Sequence, residues 1–332
     1  MRRVQPVSTQ IERAAQALRN GHLVAFPTET VFGLGADASD SNAVAKIFAA
    51  KGRPQSHPLI VHVSGVDLLS LLATDVPDYA LALAHAHWPG PLTLVLPRSN
   101  SVAEGVTGGQ STVGIRVPRH DVALELLRAF EQKGGLGVAA PSANRFGRVS
   151  PTTAQAVREE LAHALSADDV VLEGEPSDVG IESTIVDCTS ARPSILRPGS
   201  VTAHMVQETT GLTLGEAPDG VRVSGSFASH YAPLAAVVLD TEVRPGEGFI
   251  ALSEHSTPPG VVRLAEPHNV PEYARQLYAA LRRADQLGLT RVVALTPPGD
   301  GIAMAIRDRM NRASHPERNG KAFARINGCG DS

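Results

Sequence analysis

Apolar positions along this chain recur either at helical spacing or in short unbroken runs, with glycine and proline between them. Ile11, Ala14, Ala15 and Leu18 share one face of a helix that Thr9 and Glu12 would open as a capping box and Gly21 would stop. HLVAF (22–26) then reads as a short buried strand closed by Pro27. Val44, Ile47 and Phe48 predict a second helix over 41–51, with Gly52 as its C-terminal stop. Further strands are expected at PLIVHV (58–63), PLTLVLP (91–97), TVGIRVP (112–118), GLGVAAPS (135–142), ESTIVDC (182–188) and SILRPG (194–199). Helices are expected over 76–87, 120–132 and 152–165, and again after Ser200.

Strands and helices therefore alternate unevenly, which predicts a mixed α/β sheet covered by helices. From 211 to 233 the chain is rich in glycine, serine and proline and has no period, so it reads as a linker. Beyond it LAAVVL, GFIALS and RVVALT are apolar strands. They are interleaved with helices over 271–287 (Ala274, Leu277, Leu281, Ala284) and 301–313. The expected organisation is a first domain over 1–210, a linker over 211–233 and a small α/β domain over 234–332.

Composition narrows the function classes. The chain has 332 residues, 42% of them hydrophobic and 19% charged, enough for real cores in two domains. Aromatics make up 4% and net charge is −4, which argues against a stacking platform or a basic field for nucleic acid. Cys188 and Cys329 cannot build a disulfide framework or a cysteine zinc site. No run approaches the roughly eighteen apolar residues of a membrane span, and the N-terminus lacks a signal-peptide core, so a cytoplasmic protein is expected.

Familiar catalytic signatures fail. GLGADA (33–38) fits G-x-G-x-x-A, but it does not sit in the tight strand-to-helix turn a dinucleotide needs. There is no G-x-x-x-x-G-K-[ST] loop and no G-x-S-x-G elbow. His85 and His87 end a helix, where histidines usually meet free carbonyls. What remains is polar residues on loops flanking strands: PTET (27–30), KGRP (51–54), APSANRFGRVSP (140–151), GIESTIVD (180–187) and LRPG (196–199). Hydroxyls in PTET could simply tie up loop amides, and KGRP could compensate a helix dipole. Arg116, inside an apolar strand, is a costly cation without an anion opposite. Together these residues suit an anion-rich, multi-part substrate held on one face of a sheet.

Taken in order, FPTETVFGLGADA, KGRPQSHPLIVHV, WPGPLTLVL, TVGIRVP, APSANRFGRVSPT, GIESTIVD and ILRPG closely resemble the YrdC-type L-threonylcarbamoyladenylate synthases. The resemblance covers about residues 8–210, and SHYAP (229–233) is similar to the longer, two-domain form. It implies a YrdC-like twisted mixed sheet with flanking helices, plus a smaller Rossmann-like α/β C-terminal domain. It also implies a nucleotidyltransferase that makes threonylcarbamoyl-AMP and pyrophosphate from L-threonine, bicarbonate and ATP with Mg2+. The product would pass to tRNA threonylcarbamoyl-transferase proteins, with at most transient tRNA contact. By the resemblance, Thr30, His62, Arg116 and Ser183 would form the threonine pocket. Arg53, His57, Thr112, Ser142, Asn144, Ser150, Arg197 and Tyr231 would hold ATP, with Lys51, Arg53 and Arg116 as the catalytic cations. No protein metal ligand is expected. His57 stands where the family usually has asparagine, Phe32 where it commonly has tyrosine, and Ala140 where some members carry a hydroxyl. The small domain reads as regulatory or scaffolding, with the linker as a lid. Two other readings are an RNA-binding module of the same fold without catalysis, and carbamoyl transfer in hydrogenase maturation. Two cysteines cannot supply the zinc modules of the latter.

Overall fold

The GLGAD segment is a buried strand, and its glycines are there for packing. A Cβ on Gly35 would stand 2.6 Å from a Val138 methyl and 2.9 Å from the Phe26 ring, so two neighbouring chains can close on it only because it has none. In the computed structural model, which describes residues 7–218, 220–225 and 230–315, this strand lies inside the larger sheet, third from one edge. Ser229 of the SHYAP stretch, Cys329 and residues 316–332 of the small domain lie outside the described residues.

The first domain begins with α1 (Val7–Arg19), β1 (Val24–Phe26), β2 (Gly33–Asp37), α2 (Ser41–Lys51) and β3 (Ile60–His62). Thr9 lies inside the first turn of α1, so it does not cap that helix. Asp40 caps α2 by accepting from the Asn42 and Ala43 amides, and Gly52 ends it at φ 60°. Then come α3 (Leu69–Leu72), α4 (Asp78–His87), β4 (Leu92–Pro97), α5 (Glu104–Thr107), β5 (Thr112–Arg116), α6 (Asp121–Gln132) and β6 (Val138–Ala139). The domain finishes with α7 (Ala154–Leu161), β7 (Val170–Val171), β8 (Thr184–Asp187), β9 (Ser194–Arg197) and α8 (Ala203–Thr210).

Among the described residues these strands form one nine-stranded sheet in the order β7-β1-β2-β6-β3-β5-β4-β8-β9. It is mixed: β3 runs parallel to β5 and β4 parallel to β8, while β4–β5 and β8–β9 are antiparallel. α1 and α6 cover one face through Ile11, Leu18, Leu126 and Phe130. The other face packs Ile47, Phe48, Leu83, Leu94 and Ile115 into a larger core. Among its described residues the small domain has a parallel four-stranded sheet in the order β10 (Ala236–Leu239), β13 (Arg291–Ala294), β11 (Gly248–Ile250), β12 (Val262–Ala265). Its helices are α9 (Val270–Gln286) and α10 (Ile302–Ser314).

The segment between the domains has no helix or ladder strand in its described part, yet it is not loose. Val223 packs on Val95 and Ile185, and Ala232 bridges to Arg148. One apolar cluster unites Val31, Val149 and Ile181 of the first domain with Tyr231, Tyr273, Tyr278 and Ile306, so the domains share a core. Arg148 pairs with Asp285 at 3.0 Å and Arg282 with Glu160 at 3.3 Å around it. No helix among the described residues is long and apolar enough to cross a membrane.

Candidate active site

Strand register builds the site. His62 on β3 stands directly beside Arg116 at the end of β5, because the two strands pair in parallel with those residues as partners. Next to them the PTET loop is tied by Thr28, whose hydroxyl donates to the Val31 carbonyl at 2.6 Å and accepts from the Thr30 and Val31 amides. That leaves the Thr30 hydroxyl to accept from Arg116 Nη1 at 2.9 Å. Beyond β4, the Ser183 and Thr93 hydroxyls bond at 2.8 Å, and Arg197 Nη2 donates to Ser183 Oγ at 3.1 Å.

These side chains surround a cavity of about 40 Å³ lined by Thr30, His62, Arg116, Ser142, Ser183 and Arg197, with Glu182, Ser224, His230 and Tyr231 closing it. All four expected threonine-pocket residues therefore meet in one cavity, together with three of the expected ATP residues. A second recess of about 20 Å³ adjoins it, lined by Thr112, Gly114, Ile185 and linker residues Arg222–Ser224. Ile60 and Ser224 border both, so a linker residue forms part of the partition.

The other expected residues are close by but differently employed. The Lys51 ammonium is buried and donates to the Ser142 carbonyl at 2.6 Å and to the Asn144 carbonyl, which clamps the 140–151 loop to the end of α2. Burial first, and Arg53 second, hold its pKa well below the usual lysine value. Asn144 spends its amide on the Arg145 and Arg148 carbonyls at 2.7 and 2.8 Å, and Ser150 donates to Glu182 at 2.7 Å. Lys51, Asn144 and Ser150 thus shape the wall and do not line the cavity. Arg53 donates to the Pro58 carbonyl and to Ser224 Oγ, and its pKa is lowered to about 10, chiefly by burial. Arg197 donates to the Ser224 carbonyl at 2.8 Å. His57 packs edge-on against Phe146, outside the lining of both recesses, with its pKa brought to about 4 by burial and then by Arg53 and Arg222. His87 bonds the Thr209 hydroxyl at 3.0 Å, a structural use but not the contact with free carbonyls expected at a helix end.

Glu29 and Glu182 stand inside PTET and GIEST, yet nothing in those motifs had singled them out. Glu29 is buried and its carboxylate lies 2.7 Å from Arg116 Nη2. The pair is electrostatic without hydrogen-bond alignment: neither Glu29 oxygen nor Arg116 Nη2 has a hydrogen-bond partner among the described residues. The anion that Arg116 required in its strand is therefore partly supplied by the protein. Glu182 accepts from Ser150, Tyr278 and Arg309; burial raises its pKa, but Arg309, Arg197 and the bonds from Ser150 and Tyr278 together hold it below the usual carboxylate value. Thr93 was equally silent, since a threonine in an apolar strand looks like filler.

His62 and His230 are buried, and both are held neutral. Burial and then Arg116 bring His62 to about 3, while burial and then Arg53 push His230 well below 6.5. The unfolded chain binds the extra protons, so these histidines lower stability as pH falls through 6.5 and continue to do so towards the folded values. Unfolding in urea at pH 7 and pH 5 should show a loss of about 1–2 kcal/mol per histidine. His62→Gln should remove its share of the slope. Equal stability at the two pH values would contradict the neutral assignment.

The chain matches the family model for Sua5, YciO and YrdC proteins, described as "Telomere recombination", over residues 16–199. It matches the one described as "Threonylcarbamoyl-AMP synthase, C-terminal domain" over 201–315. The threonylcarbamoyl-AMP synthase of Pyrococcus abyssi is 38% identical over 326 residues, covering 92% of this chain and 94% of that protein. The synthase of Bacillus subtilis is 35% identical, covering 92% and 93%. The crystal structure of P. abyssi Sua5 complexed with L-threonine superposes with a TM-score of 0.83 at 37% identity, over 94% of this chain and 95% of that one. Motifs, mixed sheet and both matched domains agree, and the chain belongs to the YrdC-type threonylcarbamoyl-AMP synthases in their longer, two-domain form.

Proposed function

We propose that this protein condenses L-threonine, bicarbonate and ATP into threonylcarbamoyl-AMP and pyrophosphate, in the cytoplasm, for modification of an adenosine in tRNA. The observation that carries the reading is that Arg116 and Arg197 line one cavity and each donates to a hydroxyl of its wall, Thr30 and Ser183 respectively. Arg116 is a fork for the threonine carboxylate or carbamate, and Arg53 with Arg197 is a cationic seat for the triphosphate. The carbamate formed from the threonine amine and bicarbonate, with loss of water, carries its own nucleophilic oxygen. Attack on the α-phosphorus expels pyrophosphate, so the protein's work is positioning and charge stabilisation. The linker acts as a lid, since Arg53 and Arg197 must release Ser224 before phosphate oxygens can take its place.

Magnesium fits as an ion carried by the nucleotide. Among the described residues no cluster of three or more histidines, cysteines or carboxylates is present, and Glu29 and Glu182 are each paired with an arginine. Phosphate oxygens and water would hold the ion and neutralise charge on the triphosphate. The expected consumers of the product are proteins that transfer threonylcarbamoyl to tRNA.

Purified protein given ATP and magnesium should release pyrophosphate only when threonine and bicarbonate are both supplied. Release that ignores threonine would overturn the assignment. Tight, salt-sensitive RNA binding without turnover would favour the non-catalytic reading.

A further inference from the structure

Two side chains of the small domain cross the interface and end on the wall of the cavity. Arg309 on α10 is fully buried and donates through Nε to Glu182 Oε2 at 3.0 Å. Its Nη2 donates to the Pro198 carbonyl at 3.0 Å, and Nη1 to Asp308 at 2.6 Å. Tyr278 on α9 donates its hydroxyl to the same Glu182 oxygen at 2.8 Å. Glu182 borders the cavity beside Ser183, and its other oxygen accepts from Ser150. A carboxylate this deeply buried needs such partners, because an unpaired charge there is expensive.

The same two residues grip the linker. Tyr231, which lines the cavity, adopts φ 62°, a left-handed conformation that an aromatic residue keeps only when its surroundings enforce it. Its ring stacks on Tyr278 with centroids 5.7 Å apart, and the Arg309 guanidinium lies 5.6 Å from it.

We propose that Arg309 and Tyr278 are positioning residues of the active site, holding Glu182 and Tyr231 in the substrate-facing wall, so that the cavity is incomplete without the small domain. This goes beyond a regulatory or scaffolding role for that domain, and its kinetic form rests on the synthase activity proposed above. Without Arg309, the Glu182 carboxylate is drawn towards Arg197, the next cation acting on it, and competes with the nucleotide phosphates for that guanidinium.

The test compares full-length wild type, Tyr278→Phe, Arg309→Lys, Arg309→Met and Arg309→Met/Glu182→Gln. Binding of Mg-ATP is measured by calorimetry, and steady-state pyrophosphate release gives KM and kcat for ATP. Arg309→Met should weaken ATP binding and raise its KM by about tenfold or more. Arg309→Lys should recover part of this, and adding Glu182→Gln should recover most of it by removing the competing charge. Tyr278→Phe, the mildest change, should raise the ATP KM roughly threefold to tenfold with native circular dichroism. Trypsin should also cut faster after Arg222, an exposed linker residue, when Tyr231 is released. A purely structural role would lower thermal stability but leave ATP affinity unchanged and show no rescue by Glu182→Gln, and that result overturns the proposal. If Arg309→Met does not fold, Tyr278→Phe decides it: wild-type affinity and unchanged cleavage at Arg222 reject the idea. A wild type that binds ATP but releases no pyrophosphate counts against the synthase reading, while the affinity series still tests these positions.

Discussion

Arg116→Ala should abolish threonine-dependent turnover, with kcat/KM for threonine falling by about 10²- to 10³-fold. Arg116 donates to Thr30, stands in register beside His62 and faces Glu29, and alanine can neither grip a carboxylate nor neutralise one. The same change should destabilise the fold by about 3–5 kcal/mol, because Glu29 becomes a buried charge without a partner. These effects separate in the double variant. Arg116→Ala/Glu29→Gln should regain most of the stability in urea unfolding and none of the turnover. Near-normal threonine kinetics in the single variant would remove Arg116 from the substrate site.

Arg197→Lys should cost about 10²-fold in kcat/KM for ATP while affecting threonine less. Arg197 reaches the Ser183 carbonyl through Nε at 3.0 Å and Nη2 at 2.9 Å, and the linker through Nη1. A lysine retains the charge but cannot reproduce that planar fork. The threonine side is buffered because Ser183 Oγ keeps its bond to Thr93. Separate KM determinations for the two substrates check this. A loss confined to threonine would move Arg197 to the other side of the cavity.

Local pattern was a good guide wherever an element carries its own periodicity. α2, α6, α9 and α10 fall within a residue or so of the helices expected from apolar spacing and terminal signals. It failed where an element is defined by its neighbours. No strand is expected from local pattern at Gly33–Asp37, since only contact with Phe26 and Val138 explains glycines in a buried strand. The expected 135–142 strand has ladder pairs only at Val138–Ala139, and beyond them it keeps an isolated bridge from Ser142 to Gly33 and single backbone bonds at Gly137, Ala140 and Pro141. β7, α3 and α5 are too short to show a period.

The site divides along the same line. Residue type and local context alone marked Arg116 as a cation needing an anion and PTET, APSAN and GIEST as polar loops at strand ends, because the cost of burying charge depends on the side chain itself. Only the tertiary structure decided who answers each charge. Lys51 clamps two carbonyls, Glu29 faces Arg116, and Glu182 gathers Ser150, Tyr278 and Arg309 from segments as much as 159 residues apart in numbering, from 150 to 309. Such pairings are set by strand register and domain docking, which bring distant residues within hydrogen-bond reach. A helix's apolar period says which face is buried, but not which carboxylate waits on the other side of the interface.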